Sequence, residues 1–200
     1  MPLPFPRSRE PMQSAAHGAS GVVDPRLRGD DANGAIWRDG AFHRDLWVHA
    51  AEGKPLPDGP TILPKKRWLS EREALARRNA PIGLLLAAGQ VVDDIAADLP
   101  RFALVALDFP KFSDGRAFST ARLLREKHGY RGELRAVGNV LADQIPFMRR
   151  VGFDAFEVTH APTRCALAEG SLAEVTLYYQ PAGSPDAPAG TRPWLRRSVG

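Results

Sequence analysis

Four apolar runs, each separated from the next by a helix-length stretch, constrain this chain more than any other feature. They are Ile82–Ala87, Ala103–Asp108 (ALVALD), Glu133–Val137 and Asp154–Val158. A strand with one wet face alternates apolar and polar residues, whereas a run apolar nearly throughout must be covered on both faces. The stretches between them, Val91–Leu99, Gly115–His128 and Asp143–Val151, have helical length and composition. Strands joined by such crossovers pair in parallel, with right-handed connections. The pattern predicts an α/β fold: a mostly parallel sheet with helices on both faces, built from consecutive βα units.

Local signals sharpen the boundaries. Gly129 and Gly152 stand where helices should stop, since glycine enters the left-handed region at low cost. Pro146 falls in a first turn if Asp143 or a near neighbour caps that helix, and there its missing amide costs little. Ile145, Met148 and Val151 recur at three-residue spacing and read as core. Upstream, Ile36–Trp37 and Asp45–Val48 predict short strands around the turn Arg38-Asp39-Gly40, with Thr61–Leu63 as a further extended piece. Ser70-Glu71-Arg72-Glu73 has the form of a capping box, predicting a helix from Ser70 to about Arg78. Arg164–Leu172 predicts a last helix before an extended LYYQ.

Three segments follow. Residues 1–35 are rich in Pro, Gly, Ser and Asp without periodicity, and read as a disordered N-terminal extension. The run VVDPRLRGDDAN within it resembles translated intergenic repeats, which leaves open whether the extension is translated. Residues 36–180 form a single α/β domain, and 181–200 a flexible tail. Charge is spread rather than massed. The formal net charge of +4 divides between the tail and residues 36–180, while 1–35 nets to zero. Nucleic-acid binding calls for a concentrated basic face, so no nucleic-acid partner is expected. No apolar run has the length of a membrane span, and Pro and Arg interrupt the N-terminus where a signal peptide needs an apolar core. With a single cysteine, Cys165, the expected compartment is the cytoplasm.

In an open parallel sheet, ligands collect at the carboxyl ends of the strands. That places candidate chemistry in loops 88–90, 109–116, 138–139 and 159–160. The ligand-binding candidates are Asp108, Lys111, Ser113, Asp114, Arg116, Asn139, Asp143, Gln144, Glu157 and His160. Two readings of the turn Ser113-Asp114-Gly115-Arg116 stand. Free amides at the helix start, with Lys111 and Arg116, can hold an oxyanion. Equally, Ser113 or Asp114 can cap the helix while Arg116 pairs with Asp114 or Asp143. Asp108, Asp143 and Glu157 are a possible carboxylate cluster, although Glu157 can instead neutralise Arg135. No catalytic residue is assigned. The chain lacks GxGxxG after a strand, GxxxxGK[ST], GxSxG, HExxH and CxxC, so no nucleotide, flavin, metal or haem motif is recognisable.

The motifs FPKFSDGRAFSTARLLR, GYRGELRAVGNVL and ADQIPFMRRVGFDAFE, preceded by DLPRFALVALDFP, resemble the bacterial domain-of-unknown-function family nine-three-four. Weaker similarity reaches back to about Trp47. The family is described in terms of oxidoreductases of sulfite reduction, so the resemblance implies a place in sulfate assimilation. Members often carry Cys before the Gly-Phe-Asp segment, where this chain has Val151. Three functions are therefore expected as alternatives: an accessory or partner of sulfite reductase, a small oxidoreductase with an anion site at the strand ends, or a non-catalytic ligand sensor or scaffold.

Overall fold

A computed structural model describes residues 34–51 and 53–172. The expected disordered ends and the extended LYYQ lie outside the described residues, apart from Gly34 and Ala35, and Ala35 is not disordered but opens the first strand. Within them, β1 (Ala35–Arg38) and β2 (Ala41–Arg44) form a hairpin. Its two-residue turn has Asp39 at φ 51° and Gly40 at φ 82°, the double left-handed geometry that suits a twisted hairpin. Six further strands follow: β3 (Val48–His49), β4 (Thr61–Pro64), β5 (Ile82–Leu86), β6 (Phe102–Phe109), β7 (Glu133–Gly138) and β8 (Ala155–Phe156). Between and after them lie α1 (Lys65–Leu75), a 3-10 segment (Asp93–Arg101), α2 (Arg116–Arg122, continued by a wider π turn over Leu123–Lys127), α3 (Ile145–Arg150) and α4 (Ala161–Ala168).

The strand order is β2-β1-β8-β7-β6-β5-β4-β3, with β3 through β8 mutually parallel and the hairpin antiparallel to β8. The mostly parallel sheet of βα units and the presence of short N-terminal strands match the expectation, but the hairpin's second strand is Ala41–Arg44, and of the expected strand Asp45–Val48 only Val48 is in a strand. Coverage is more one-sided than expected. Every helix contributes its buried apolar residues to one cluster, including Trp68, Ile95, Ala121, Met148 and Leu167, against Leu84, Val105, Leu107 and Ala136 of the strands. The opposite face carries a smaller cluster of Ile62, Leu104, Ala106 and Val137 with Trp47 and Leu85, and no helical residue belongs to it. The cause is the strand order: consecutive parallel strands always step the same way, so crossovers of one hand lay their helices on one side.

What covers the second face is the sheet itself. Strands β2 and β3 are opposite edges, yet only Asp45, Leu46 and Trp47 join them. A flat eight-stranded sheet would separate its edges by about 34 Å. Four residue steps reach at most about 14 Å. The sheet must therefore curl into an open, barrel-like trough, helices outside. Asp45 shapes the crossing: its Oδ1 accepts the Trp47 amide at 3.1 Å, and its Oδ2 accepts from Arg135 of β7. Trp47 then sits inside the trough. Gly83 makes room for it, since a Cβ there would lie 2.8 Å from Leu104 Cδ2 and 3.2 Å from Trp47 Cζ3.

Boundaries differ where a local rule met a stronger one. Helix α1 begins at Lys65, directly after the extended Pro64, so Ser70 lies inside the helix. Its Oγ donates to Arg67 O at 3.0 Å and the capping box does not form. The helix instead bends at Glu71, whose carboxylate takes Arg67 Nε at 3.0 Å. The glycine stops hold, with Gly129 at φ 62° and Gly152 at φ 103°, and Pro146 occupies the first turn of α3.

Candidate functional site

The carboxyl ends of the parallel strands carry two groups of polar residues. The first surrounds the end of β6. Asp108 points into the trough, on the face opposite Leu107 and Phe109, and is half-buried. Burial, and secondarily the negative charge of Asp114, raise its carboxyl above the ordinary carboxylate range. Gly138 lies against it: a Cβ there would fall 2.6 Å from Asp108 Oδ1 and 2.7 Å from Phe109 O. The neighbouring Asn139 is exposed, and its amide donates to Phe109 O at 2.7 Å.

In the 109–116 loop Arg116 pairs with Asp114, while the N-cap position of α2 falls to Gly115 and carries no side-chain cap bond. Arg116 Nε donates to Asp114 Oδ1 at 2.9 Å, Arg116 Nη2 to Asp114 Oδ2 at 2.6 Å, and the Arg116 amide to Asp114 Oδ1 at 3.2 Å. The hydrogen bonds from Arg116 hold the Asp114 carboxyl down at about 2. Lys111 and Ser113 are exposed beside this pair, and Lys111 adds a weaker downward pull on Asp114. Gln144 is buried and ties this loop to α3: its Nε2 donates to Phe112 O at 3.1 Å, while its Oε1 accepts the Leu141 amide at 3.4 Å.

The second group closes the trough. His49 Nε2 and Glu157 Oε2 are 3.1 Å apart. That bond is the main reason the Glu157 carboxyl titrates below its ordinary range, with smaller contributions from the charges of His49 and Arg135 working against burial. Arg135 itself is almost wholly buried and engages Asp45 and Glu133, the latter at 2.9 Å. Glu133 also accepts from Arg38 Nη1 at 3.2 Å. The inner wall thus holds a chain of alternating charges, Arg38, Glu133, Arg135 and Asp45, with Glu157 and His49 at its rim.

The proposed cluster of Asp108, Asp143 and Glu157 does not gather. Asp108 is paired in register with Val137, and the Glu157 amide bonds Ala136 O, so two strand spacings, about 10 Å, separate the inner carboxylates. Asp143 lies apart from both, exposed on the loop before α3. Among the described residues no group of three or more His, Cys, Asp or Glu side chains can hold a metal ion. His160 is exposed at the start of α4, with Nδ1 2.9 Å from Thr163 Oγ1.

Sequence reasoning missed His49 as a partner of Glu157, because no spacing rule connects residues so far apart in the chain. It also missed a cavity of about 340 Å³ outside the trough, between the β5 end and α2, lined by Gln90, Asp93, Arg116, Thr120, Leu123 and His128 among others. Arg116 belongs to this cavity, on the helical side of the sheet, and Asp108 to the trough. The Arg-rich helix also divides: Arg122 pairs with Glu126 on the surface, whereas Arg125 turns inward to the carbonyls of Tyr130, Gly132 and Gly152.

Fold and geometry together define a one-sided α/β protein whose curled, mostly parallel sheet carries a charged inner wall. The chain belongs to the family described as bacterial protein of unknown function (DUF934), whose model matches residues 83–189, more than half of its length. No curated protein matches it. No helix among the described residues is long and apolar enough to cross a membrane.

Proposed function

We propose that the protein is an accessory component of assimilatory sulfate and sulfite reduction, acting as a partner of sulfite reductase in the cytoplasm. The pathway rests on the resemblance of the 109–157 motifs to a family described in those terms. One observation favours a binding role. Phe112 and Phe147 are 53% and 57% exposed, on a loop and a helix joined by the Gln144 to Phe112 hydrogen bond. Aromatic rings left in water on a rigid platform are the residue type that anchors protein interfaces. Asp114 and Arg116 nearby are matched with each other, and so suit a rim around such anchors.

A second reading, a small oxidoreductase working at the strand ends, is favoured by Asp108, a half-buried acid with a raised titration range on the inner rim. The two readings part experimentally. A deletion strain should fail on sulfate and recover on cysteine; recovery on sulfite as well would place the step before sulfite reduction. For the partner reading, full-length protein should co-purify with sulfite reductase or change its activity, and Phe112→Ser with Phe147→Ser should abolish that. Neither association nor any effect on the reductase would defeat it. Loss of growth with Asp108→Asn, association intact, would favour the enzyme.

A further inference from the structure

The cavity between the β5 end and α2 has two charged poles and an apolar rim. At one pole, Arg116 is held from two sides. Asp114 occupies its Nε and Nη2. Its Nη1 lies against Gly89, where a Cβ would come within 2.8 Å. Gly89 at φ 82° therefore lets the guanidinium pack on the loop, and leaves Nη1 as the donor without a hydrogen-bond partner among the described residues.

At the other pole, Asp93 Oδ1 accepts from Lys127 Nζ at 2.8 Å, and Oδ2 has no hydrogen-bond partner among the described residues. His128 stands beside it with its side chain only 11% exposed. Its Nε2 is sealed from solvent and makes no hydrogen bond, approaching Asp93 Oδ1 at 3.4 Å without bonding geometry. Over the opening stand Val91 and Leu123, 61% and 47% exposed.

Each pole is locally neutralised, Arg116 by Asp114 and Asp93 by Lys127, so the cavity as a whole favours neither anions nor cations. A simple anion would gain Arg116 Nη1 but meet Asp93. A simple cation would gain Asp93 and meet Arg116. A molecule carrying both charges satisfies both ends and is discriminated from either half. The volume of about 340 Å³ lies at the small end of ligand pockets.

We propose that this cavity binds a free α-amino acid. Its carboxylate lies on Arg116 Nη1, its ammonium donates to Asp93 Oδ2, and an apolar side chain covers Val91 and Leu123. The site is independent of any role in sulfite reduction.

The test is titration of the full-length protein, by calorimetry or amide-shift perturbation, with glycine, L-valine, L-leucine and L-methionine. Acetate and butylammonium serve as single-charge controls. The expected result is saturable binding of at least one apolar amino acid with a Kd of about 1 mM or tighter, and no saturation by either control. Arg116→Gln and Asp93→Asn should each weaken it about tenfold or more, the scale of losing a hydrogen bond to a charged group. Both side chains are exposed, so the variants should keep the wild-type circular dichroism. Absence of saturation by every amino acid, equal binding of acetate, or undiminished binding in both variants would overturn the proposal.

Discussion

His49 Nε2 lies 3.1 Å from Glu157 Oε2, joining the edge strand β3 to the end of β8 across the opening of the trough. In strand order these elements are five positions apart, so the bond exists only because the sheet curls. Glu157 titrates below its ordinary range in the folded protein, chiefly through this bond. A depressed folded value means its stabilisation is complete above the unfolded carboxylate range, about 4.3 for Glu, and is lost as pH falls through the lowered value. Glu157→Gln should therefore cost about 0.5–1 kcal/mol at neutral pH, as for a partly exposed pair. The gap from wild type should close in acid. Urea unfolding across pH checks this; a gap as wide at pH about 3 as at neutrality would exclude the pair as its source.

Arg135 holds the inner wall together. It is 1% exposed and is shared between Asp45, which shapes the edge-to-edge crossing, and Glu133. Arg135→Met keeps most of the volume but leaves two carboxylates without their common cation. Breaking a buried ion pair from one side costs about 3–5 kcal/mol, and denaturant unfolding should show a loss of that order. Combining Arg135→Met with Asp45→Asn and Glu133→Gln should recover part of it, since the stranded charges go too. A triple variant as unstable as Arg135→Met alone would mean that packing, not charge, is what Arg135 supplies.

Much of the fold is legible because its signals are local. The apolar runs at 82–87 and 103–108 become β5 and β6, and Gly129 and Gly152 stop their helices through their own backbone preference. The Asp114–Arg116 pair is equally local, two residues apart. Ser70 failed as a cap because Pro64, ending β4, lets the helix start at Lys65 and places Ser70 inside it. Helix coverage, the curl, and the meeting of His49 with Glu157 depend on the order in which strands pair, and no window of sequence contains that. Apolar runs demand cover on both faces, but they do not distinguish a second layer of helices from a sheet folded back over itself.

Gly83 tests the curl directly. Its missing side chain lets Trp47 meet Leu104 and Ile62 inside the trough. Gly83→Ala puts a methyl group 2.8 Å from Leu104 Cδ2, 3.1 Å from Ile62 Cγ1 and 3.2 Å from Trp47 Cζ3, and overpacking of this kind costs about 1–3 kcal/mol. Trp47→Leu removes the ring that competes for the space, so the double variant should lose less than the sum of the singles. Thermal or urea unfolding of the cycle reads the coupling. Strict additivity would place the strain on Leu104 rather than on Trp47.

Asp108 separates stability from function. Burial raises its carboxyl range, so the sign is opposite to that of Glu157. A raised folded value contributes stability below the unfolded carboxylate range, and that contribution is lost as pH rises through the folded value. At neutral pH the ionised Asp108 therefore weighs against the fold, and Asp108→Asn should leave the protein equally or more stable there. In acid, where Asp108 is protonated in both states, any advantage should vanish. A side chain that costs stability at working pH is the signature of a group kept for chemistry or recognition. Unfolding at neutral and acid pH, run beside growth of the complemented deletion strain on sulfate, gives the decisive pair of readings. A variant that is more stable yet fails to support growth would make Asp108 functional. One that loses stability at neutral pH would mean that Asp108 makes a structural contribution larger than its cost of burial.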